Sequence, residues 1–276
     1  MKKALLSLAI TAMLGLAAGT ASANEVFTVD ENSVPGVGVA NSFNADLING
    51  SYRERLSIYA GAPLTFATNA FANFTSFVFN GVPQSNTGDQ YLGSAGAAGY
   101  SMYALFSATG DVGVNTFTGK TGTATLWIDP ERDTTKTLGL TGADPVTIGS
   151  GGDDYMIAST SSFVSGFGIF AANTGAFDLI FKDFLLTTGD SNGIGGTPTA
   201  AAGSQNGDLY FTDPRPFHLR INIDGDFNEP SFTSLVPQTM QGDLSLVFET
   251  PEPGSLALMG LALAGLGMAQ RRRQSV

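Results

Sequence analysis

The sequence contains no cysteine, one histidine and one tryptophan, and only 13% of its 276 residues are charged. The lack of cysteine excludes disulfides, thiol catalysis and cysteine-ligated metals. A single imidazole, that of His218, excludes a metal site built from several histidines. No G-x-S-x-G turn accompanies it, because Phe163 stands where "SFVSGFG" would need a glycine. We therefore interpret His218 as a solvated strand residue and predict that the protein is not an enzyme.

The N-terminal residues 1–23 have the three parts of a secretory signal peptide. Lys2 and Lys3 form the positive region, and an apolar run extends over 4–18. A small-x-small site follows, as signal peptidase requires. The residues that define the predicted cleavage are Ala21, Ala23 and Asn24. We therefore expect export of the body and a mature chain that begins at Asn24.

The C-terminal residues 251–276 read "PEPGSLALMGLALAGLGMAQRRRQSV". As a helix, the uncharged segment 255–269 would be about 22 Å long, shorter than the roughly 30 Å hydrocarbon core of a bilayer. The arginine cluster 271–273 favours a membrane location nevertheless, because basic residues that flank a membrane segment stay in the cytoplasm. The pattern predicts a transmembrane helix that stops transfer and leaves the body, 24–250, outside.

A Pro-Glu-Pro motif, a short apolar segment and an arginine-rich end behind a signal peptide resemble the PEP-CTERM sorting signal. The resemblance implies processing by an exosortase, a membrane enzyme of Gram-negative bacteria that make extracellular polysaccharide. The enzyme would cleave near the motif, so the tail would anchor the protein in the inner membrane only transiently. The implied recognition residues are Pro251, Glu252, Pro253, Arg271, Arg272 and Arg273. The implied location is the cell surface or the extracellular matrix.

The body, 24–250, is strongly acidic. It holds 8 Lys and Arg against 23 Asp and Glu, which gives a net charge near −15. Such a surface repels nucleic acid and anionic membranes, so we expect neither as a direct partner. The body is long enough to bury the core of one domain without disulfides.

Short apolar runs alternate with turn-forming clusters throughout the body. The predicted strands are "PLTFAT", "FTSFVFNG", "YSMYALFSATG", "TATLWIDP", "DYMIAST", "FDLIFKDFLLTTG", "FHLRINIDGD" and "DLSLVFET". They are rich in aromatic and β-branched residues, and most alternate with period two. Strands separated by turn signals predict an all-β fold, a single antiparallel β-sandwich or jelly-roll-like domain. The glycine-rich segment 189–207 is predicted to be a flexible loop between strands, or a binding loop.

Two stretches of the body could contact ligands. "DGDFNE" places Asp224, Asp226 and Asn228 at alternate positions, as oxygen ligands of Ca²⁺ would be. The glycine and the bidentate glutamate of an EF-hand are missing, so we favour an Asp-Gly turn that ends the strand. "GGDDY" offers Asp153 and Asp154 as a second, weaker calcium candidate, whose alternative is an exposed acidic loop.

The only tryptophan, Trp127, is predicted to lie on the opposite strand face from Leu126 and Ile128. An exposed ring there could stack on a sugar, whereas a buried one would only pack. The alternation leaves both open.

The body also resembles the flocculation-associated PEP-CTERM proteins in "FTVDENSVPG", "LWIDPERDTT" and "YFTDPRPFHLRINIDGDF". This resemblance implies a non-enzymatic protein that retains extracellular polysaccharide in flocs or biofilm, and it supplies no catalytic residues. Two alternatives remain open. One is a secreted carbohydrate-active enzyme, which needs a pair of carboxylates whose separation the sequence does not fix. The other is a calcium-dependent carbohydrate-binding module.

Overall fold

A computed structural model of the chain describes residues 25–37, 41–84, 90–94, 99–171, 174–186, 207–214, 218–227 and 235–249. These residues belong to one compact unit, Asn24–Glu249. Most of the predicted loop 189–207 lies outside them, and Gly207 begins a short helix.

Strands dominate the described part of the chain. They are β1 (Phe27–Asp30), β2 (Ser42–Ala45), β3 (Leu47–Tyr59), β4 (Leu64–Phe79), β5 (Val82–Pro83), β6 (Ser101–Val112), β7 (Thr116–Asp129), β8 (Thr135–Thr137), β9 (Thr147–Gly149), β10 (Tyr155–Thr160), β11 (Ser162–Ala171), β12 (Thr174–Leu186), β13 (Phe211–Asp213), β14 (His218–Phe227) and β15 (Gln238–Glu249). The described helices are a 3₁₀ turn, Glu31–Ser33, and α1, Gly207–Tyr210. The antiparallel all-β prediction is confirmed.

The large sheet closes on itself. Its antiparallel path runs β12–β11–β7–β6–β4–β3–β15–β14, and β14 also pairs with β12. Eight strands therefore form a ring in which each strand has a hydrogen-bonded neighbour on both sides, and the inner faces pack against one another. Closure removes the unpaired edges that would otherwise invite pairing with other chains.

Strand β10 fills a gap in this ring. The N-terminal part of β7, 116–119, pairs with β11, whereas its C-terminal part, 124–128, pairs with β10. Strand β10 also pairs with the end of β12, at Leu185 and Leu186. It therefore bridges the two strands at the point where β11 no longer separates them.

A three-stranded sheet, β13–β1–β2, packs on the ring through aromatic side chains. Phe27 of β1 makes edge-to-face contacts with Phe77, Phe211 and Phe248 at centroid distances of 6.3, 5.6 and 4.8 Å. Such pairs add to the hydrophobic gain of burial itself. Phenylalanine side chains thus fill much of the described interior.

The structure corrects three details of the predicted strands. "PLTFAT" and "FTSFVFNG" are parts of one 16-residue strand, β4. Strand β3 is absent from the predicted set, although its inward residues Tyr52 and Leu56 are buried. The Asp-Gly turn predicted to end the "FHLRINI" strand is wrong, because Asp224 and Gly225 continue β14 and pair with Ser245 and Leu244 of β15.

Candidate functional site

The last described strand ends two residues before the Pro-Glu-Pro motif, which begins at Pro251. Strand β15 pairs with β14 up to Glu249, which lies opposite Arg220. The carbonyl of Phe248 accepts a 2.8 Å hydrogen bond from the backbone N–H of Glu25, at the other end of the described chain. Pro251 has no backbone N–H and cannot donate to a ladder. The described strands therefore end before the Pro-Glu-Pro motif begins.

The predicted sorting and cleavage residues lie outside the described residues. They are Pro251, Glu252, Pro253, Arg271, Arg272 and Arg273 in the tail, and Ala21, Ala23 and Asn24 at the N-terminus. The predicted membrane segment 255–269 lies outside them too. Among the described residues, no helix has the length and apolar character needed to cross a bilayer.

A groove rich in hydroxyl groups lies on the outer face of β6 and β7. It encloses about 400 Å³ and is lined by Ser107, Thr109, Lys120, Thr121, Thr123, Ser161, Ser162, Phe163 and Lys182, among others. We call it the hydroxyl groove. Its hydroxyls pair across the strands: Ser107 with Thr123, and Thr109 with Thr121, each at 2.7 Å. The sequence patterns considered above do not point to these serine, threonine and lysine residues.

Alternation in β7 produces this face. In "KTGTAT", Thr121 and Thr123 lie on the outer face, whereas Gly122 and Ala124 face inward. A Cβ added to Gly122 would lie 2.9 Å from the Phe163 ring, so glycine lets that ring approach the strand. The signal in the sequence is a run of threonines at every second position.

Trp127 lies on the predicted face but is not available for sugar stacking. Only 8% of its surface is exposed, so it is a packing residue. Its ring stacks on Tyr103 at 6.3 Å with an interplanar angle of 7°, and its Nε1 donates to Thr125 Oγ1 at 2.9 Å. Lys136 and Asp154, from the chain between β7 and β10, contact Tyr103.

Three carboxylates meet beside this aromatic pair. Asp129 ends β7, and Asp153 and Asp154 immediately precede β10. Because Tyr155 pairs with Ile128, the two segments converge, and one carboxylate oxygen from each aspartate lies within 4.8 Å of the others. The sequence offered Asp153 and Asp154 as a pair, whereas Asp129 is a partner that only the strand pairing reveals.

Two of the three carboxylates are buried and hydrogen-bonded. Asp129 and Asp154 are each 1% exposed. Asp129 accepts from Ser101 Oγ at 2.9 Å, and Asp154 accepts from Tyr103 Oη at 2.6 Å and from Thr134 Oγ1 at 2.7 Å. These bonds hold the chain between β7 and β10 against the sheet.

Burial affects the protonation of Asp154 and of a neighbouring lysine. Desolvation raises the pKa of Asp154 to about 6, against the hydrogen bonds from Tyr103 and Thr134, which lower it. The ammonium of Lys136 lies 4.4 Å from the centroid of the Tyr103 ring. Burial lowers the pKa of this lysine, although the charges of Asp129 and Asp154 raise it.

The predicted calcium ligands are not grouped in a loop. Asp224 and Asp226 lie within β14, between the ladders of β12 and β15. Asp226 Oδ1 accepts from the backbone N–H of Asp243 at 2.9 Å. Asn228 and the side chain of Asp224 lie outside the description. Their role as ligands stays a prediction, but a strand replaces the expected loop.

His218 is the first residue of β14 and pairs with Leu185 of β12. This strand position agrees with the sequence interpretation.

Comparison with known proteins identifies the tail. Residues 249–273 match the family model of the PEP-CTERM protein-sorting motif. Neither the curated proteins nor the solved structures compared with the chain gave a match. The motif marks an exported protein of the cell surface or extracellular space that an exosortase processes, and its first matched residue is the last residue of β15.

Proposed function

We propose that the body is a non-enzymatic matrix protein, released outside the cell by exosortase cleavage, that associates with extracellular polysaccharide. The observation that carries the proposal is the coincidence of the motif's start with the end of β15 at Glu249. Cleavage near Pro251 would remove the tail without removing any strand. The signal peptide would be cut before Asn24, which precedes β1 in the same way.

The hydroxyl groove is the surface that suits a sugar polymer best. Each serine and threonine hydroxyl both donates and accepts, as sugar hydroxyls do. Phe163 also lines the groove, but its ring packs edge to face on the buried Phe181, so the hydroxyl groups carry the recognition. The groove is open and lies on a strand surface, so a chain could pass along it without threading through the fold.

The charge of the body favours neutral sugar units over acidic ones. Of the two lysines that line the groove, Lys120 is paired with Asp111 at 2.7 Å, which leaves Lys182 as the cation against the acidic surface. The remaining surface is strongly acidic and would repel carboxylated or sulfated chains. We therefore propose that the groove recognises neutral, hydroxyl-rich segments.

The burial of two clustered carboxylates supports a non-enzymatic role. Asp129 and Asp154 are almost fully buried and hydrogen-bonded to the protein, whereas Asp153 of the same cluster is partly exposed. A polymer could not reach them in this conformation, whereas a glycosidase needs both carboxyl groups beside the scissile bond. Incubation of the protein with the host polysaccharide should release no new reducing ends. A time-dependent release that Asp154→Asn abolishes would instead support the enzyme alternative.

A binding assay tests the groove directly. The double variant Thr109→Val/Thr121→Val removes one hydroxyl pair while keeping shape and β-branching. The matched control is Thr137→Val/Thr147→Val, which changes another exposed cross-strand threonine pair, on β8 and β9. Co-sedimentation with purified host polysaccharide should fall severalfold for the groove variant and stay unchanged for the control. Equal retention of both variants would reject the groove.

A cellular assay tests the wider role. Deletion of the gene should reduce the polysaccharide retained in cell aggregates, and the wild-type chain should restore it. A chain that lacks 251–276 should be exported but fail to restore surface retention, because the exosortase has no signal to process. Normal aggregation in the deletion strain would contradict the matrix role while leaving exosortase sorting intact.

A further inference from the structure

The ring of strands encloses a small cavity that no part of the proposed function uses. It has a volume of about 60 Å³, and its lining is mostly apolar. Inward side chains from seven of the eight ring strands form its wall. Two edge-to-face aromatic pairs are part of that wall, Phe66 with Phe117 and Tyr52 with Phe177. A closed sheet of eight strands is the size at which the interior either fills with side chains or holds one small ligand.

Polar side chains from two neighbouring strands line part of this apolar cavity. Tyr52 and Glu54 point inward from β3, and Thr68 points inward from β4. Thr68 Oγ1 lies within hydrogen-bond distance of both Glu54 Oε1 and the carbonyl of Arg55. The alternation of "YRERL" puts both arginines outside and Glu54 inside, next to Tyr52 and Leu56.

The hydrogen-bonding capacity of these groups is not used up. The Tyr52 hydroxyl has no hydrogen-bond partner among the described residues, although only 3% of the residue is exposed. A buried hydroxyl without a partner costs free energy, so it indicates that something else completes the site. Glu54 has two oxygens with room for about four hydrogen bonds. Burial raises the pKa of its carboxyl to about 7.

We propose that this cavity binds a small molecule made of a short apolar stem and one hydrogen-bond-donating head, which is an amine or an alcohol. The head would donate to the Glu54 carboxylate and accept from, or donate to, the Tyr52 hydroxyl. The stem would pack between the aromatic pairs. The volume admits roughly two waters, or a ligand of about four non-hydrogen atoms.

Charge narrows the ligand class further. The Glu54 carboxylate and the acidic body both repel an anionic head, and they attract an ammonium. Alcohols lack this attraction but can still satisfy both polar groups. Both ligand classes share the hydrogen-bond-donating head. An amine and an alcohol of equal size therefore show which of the two classes the site prefers.

Three probes with four non-hydrogen atoms each test the site: propylamine, 1-propanol and acetate. The full chain is labelled at its methionine methyl groups, because Met240 lines the cavity and reports on its occupancy. At neutral pH, we expect propylamine or 1-propanol to shift the Met240 methyl signal with a saturable curve, and acetate to leave it unchanged. Absence of a saturable shift with both donors would overturn the proposal, as would equal binding of acetate.

Three variants locate the binding. Ala70 lies opposite Glu54 in the strand pairing, so Ala70→Leu fills the cavity there and should abolish the shift of the Met240 signal. Glu54→Gln should weaken propylamine at least tenfold, whereas Glu131→Gln, at an exposed position, should not. Tyr52→Phe keeps the packing and should weaken binding. It therefore tests the site even if Ala70→Leu fails to fold. Binding that survives these changes unaltered would place the ligand elsewhere and overturn the proposal.

The pH dependence separates the two ligand classes. Propylamine should bind better at pH 8 than at pH 5, because it needs an ionised Glu54, whereas 1-propanol should depend little on pH. These readouts do not involve polysaccharide, so failure here leaves the proposed function untouched.

Discussion

Phe27 and Phe248 pack edge to face with their ring centroids 4.8 Å apart and their planes at 87°. One belongs to the first strand of the fold and the other to the last, and both are fully buried. Phe248 also packs against Phe184 and Phe211. The two ends of the body are therefore joined in one aromatic cluster before the sorting motif starts at its last strand residue.

Phe248→Ala should destabilise the body strongly. Removal of a fully buried phenylalanine from a packed core costs about 3–5 kcal/mol. Phe167→Ala is the matched control, because Phe167 lies on the outside of β11 and is 48% exposed. Urea unfolding should show a large loss for the first variant and under about 1 kcal/mol for the second. Similar losses in both would contradict the assigned core.

Truncation should show where the fold ends. A chain that stops after Glu249 should keep the unfolding midpoint of the full body, because every described strand remains. A chain that stops after Pro237 loses β15 and opens the ring between β3 and β14. Circular dichroism on heating should show a cooperative transition for the longer chain only. A folded shorter chain would refute the structural role of β15.

Stability should fall as the pH rises through the titration of Glu54. Its ordinary pKa of 4.5 is raised to about 7 by burial, so the folded state holds the proton more tightly than the unfolded state. The stability gained from protonation is complete below about pH 4.5 and is lost by about pH 7. The loss is at most about 3 kcal/mol. Asp154 adds a second decline, between its ordinary pKa of 3.8 and about 6.

Glu54→Gln should flatten this decline. Urea unfolding at pH 5 and pH 7.5 should give a smaller difference for this variant than for the wild type, and Glu131→Gln should behave as wild type. An unchanged pH profile in Glu54→Gln would show that Glu54 is not buried in the folded protein.

Calcium should change the melting temperature little. The oxygens of Asp129 and Asp154 accept hydrogen bonds from the protein, and a cation would have to displace those donors. At millimolar calcium, we expect a shift below about 1 °C, since only tight binding to the folded state stabilises it. A larger rise that Asp129→Asn abolishes would favour the calcium-dependent alternative.

The class of the fold was predictable because alternation and turn residues are local signals. Strand β7 was visible from "TATLWID", and the outward position of Trp127 followed from the same alternation. Closure of the ring was not visible, since it depends on the pairing of β12 with β14, which no local pattern encodes. Strand β3 was missed because "YRER" places charges at successive outward and inward positions.

The sites depended on pairings between distant segments. The approach of Asp129 to Asp154 requires β7 and β10 to be neighbours, and the cavity around Glu54 requires the ring to close. The Asp-Gly pair at 224–225 carried a local turn signal, but ladders on both sides keep it extended. Tertiary pairing outweighed local preference at that point.

The sorting motif is the reverse case. It is a contiguous pattern that another protein reads, so its recognition did not need the fold of the body. The sequence alone identified it, and the family match confirms it.

The central claim is that an exosortase releases an intact body. Its most direct test is the intact mass, with terminal peptides, of the protein recovered from the extracellular matrix of its host. The account predicts a chain that begins at Asn24 and ends between Pro251 and Gly254. A chain that still carries Arg271–Arg273 and stays with the membrane fraction would contradict it.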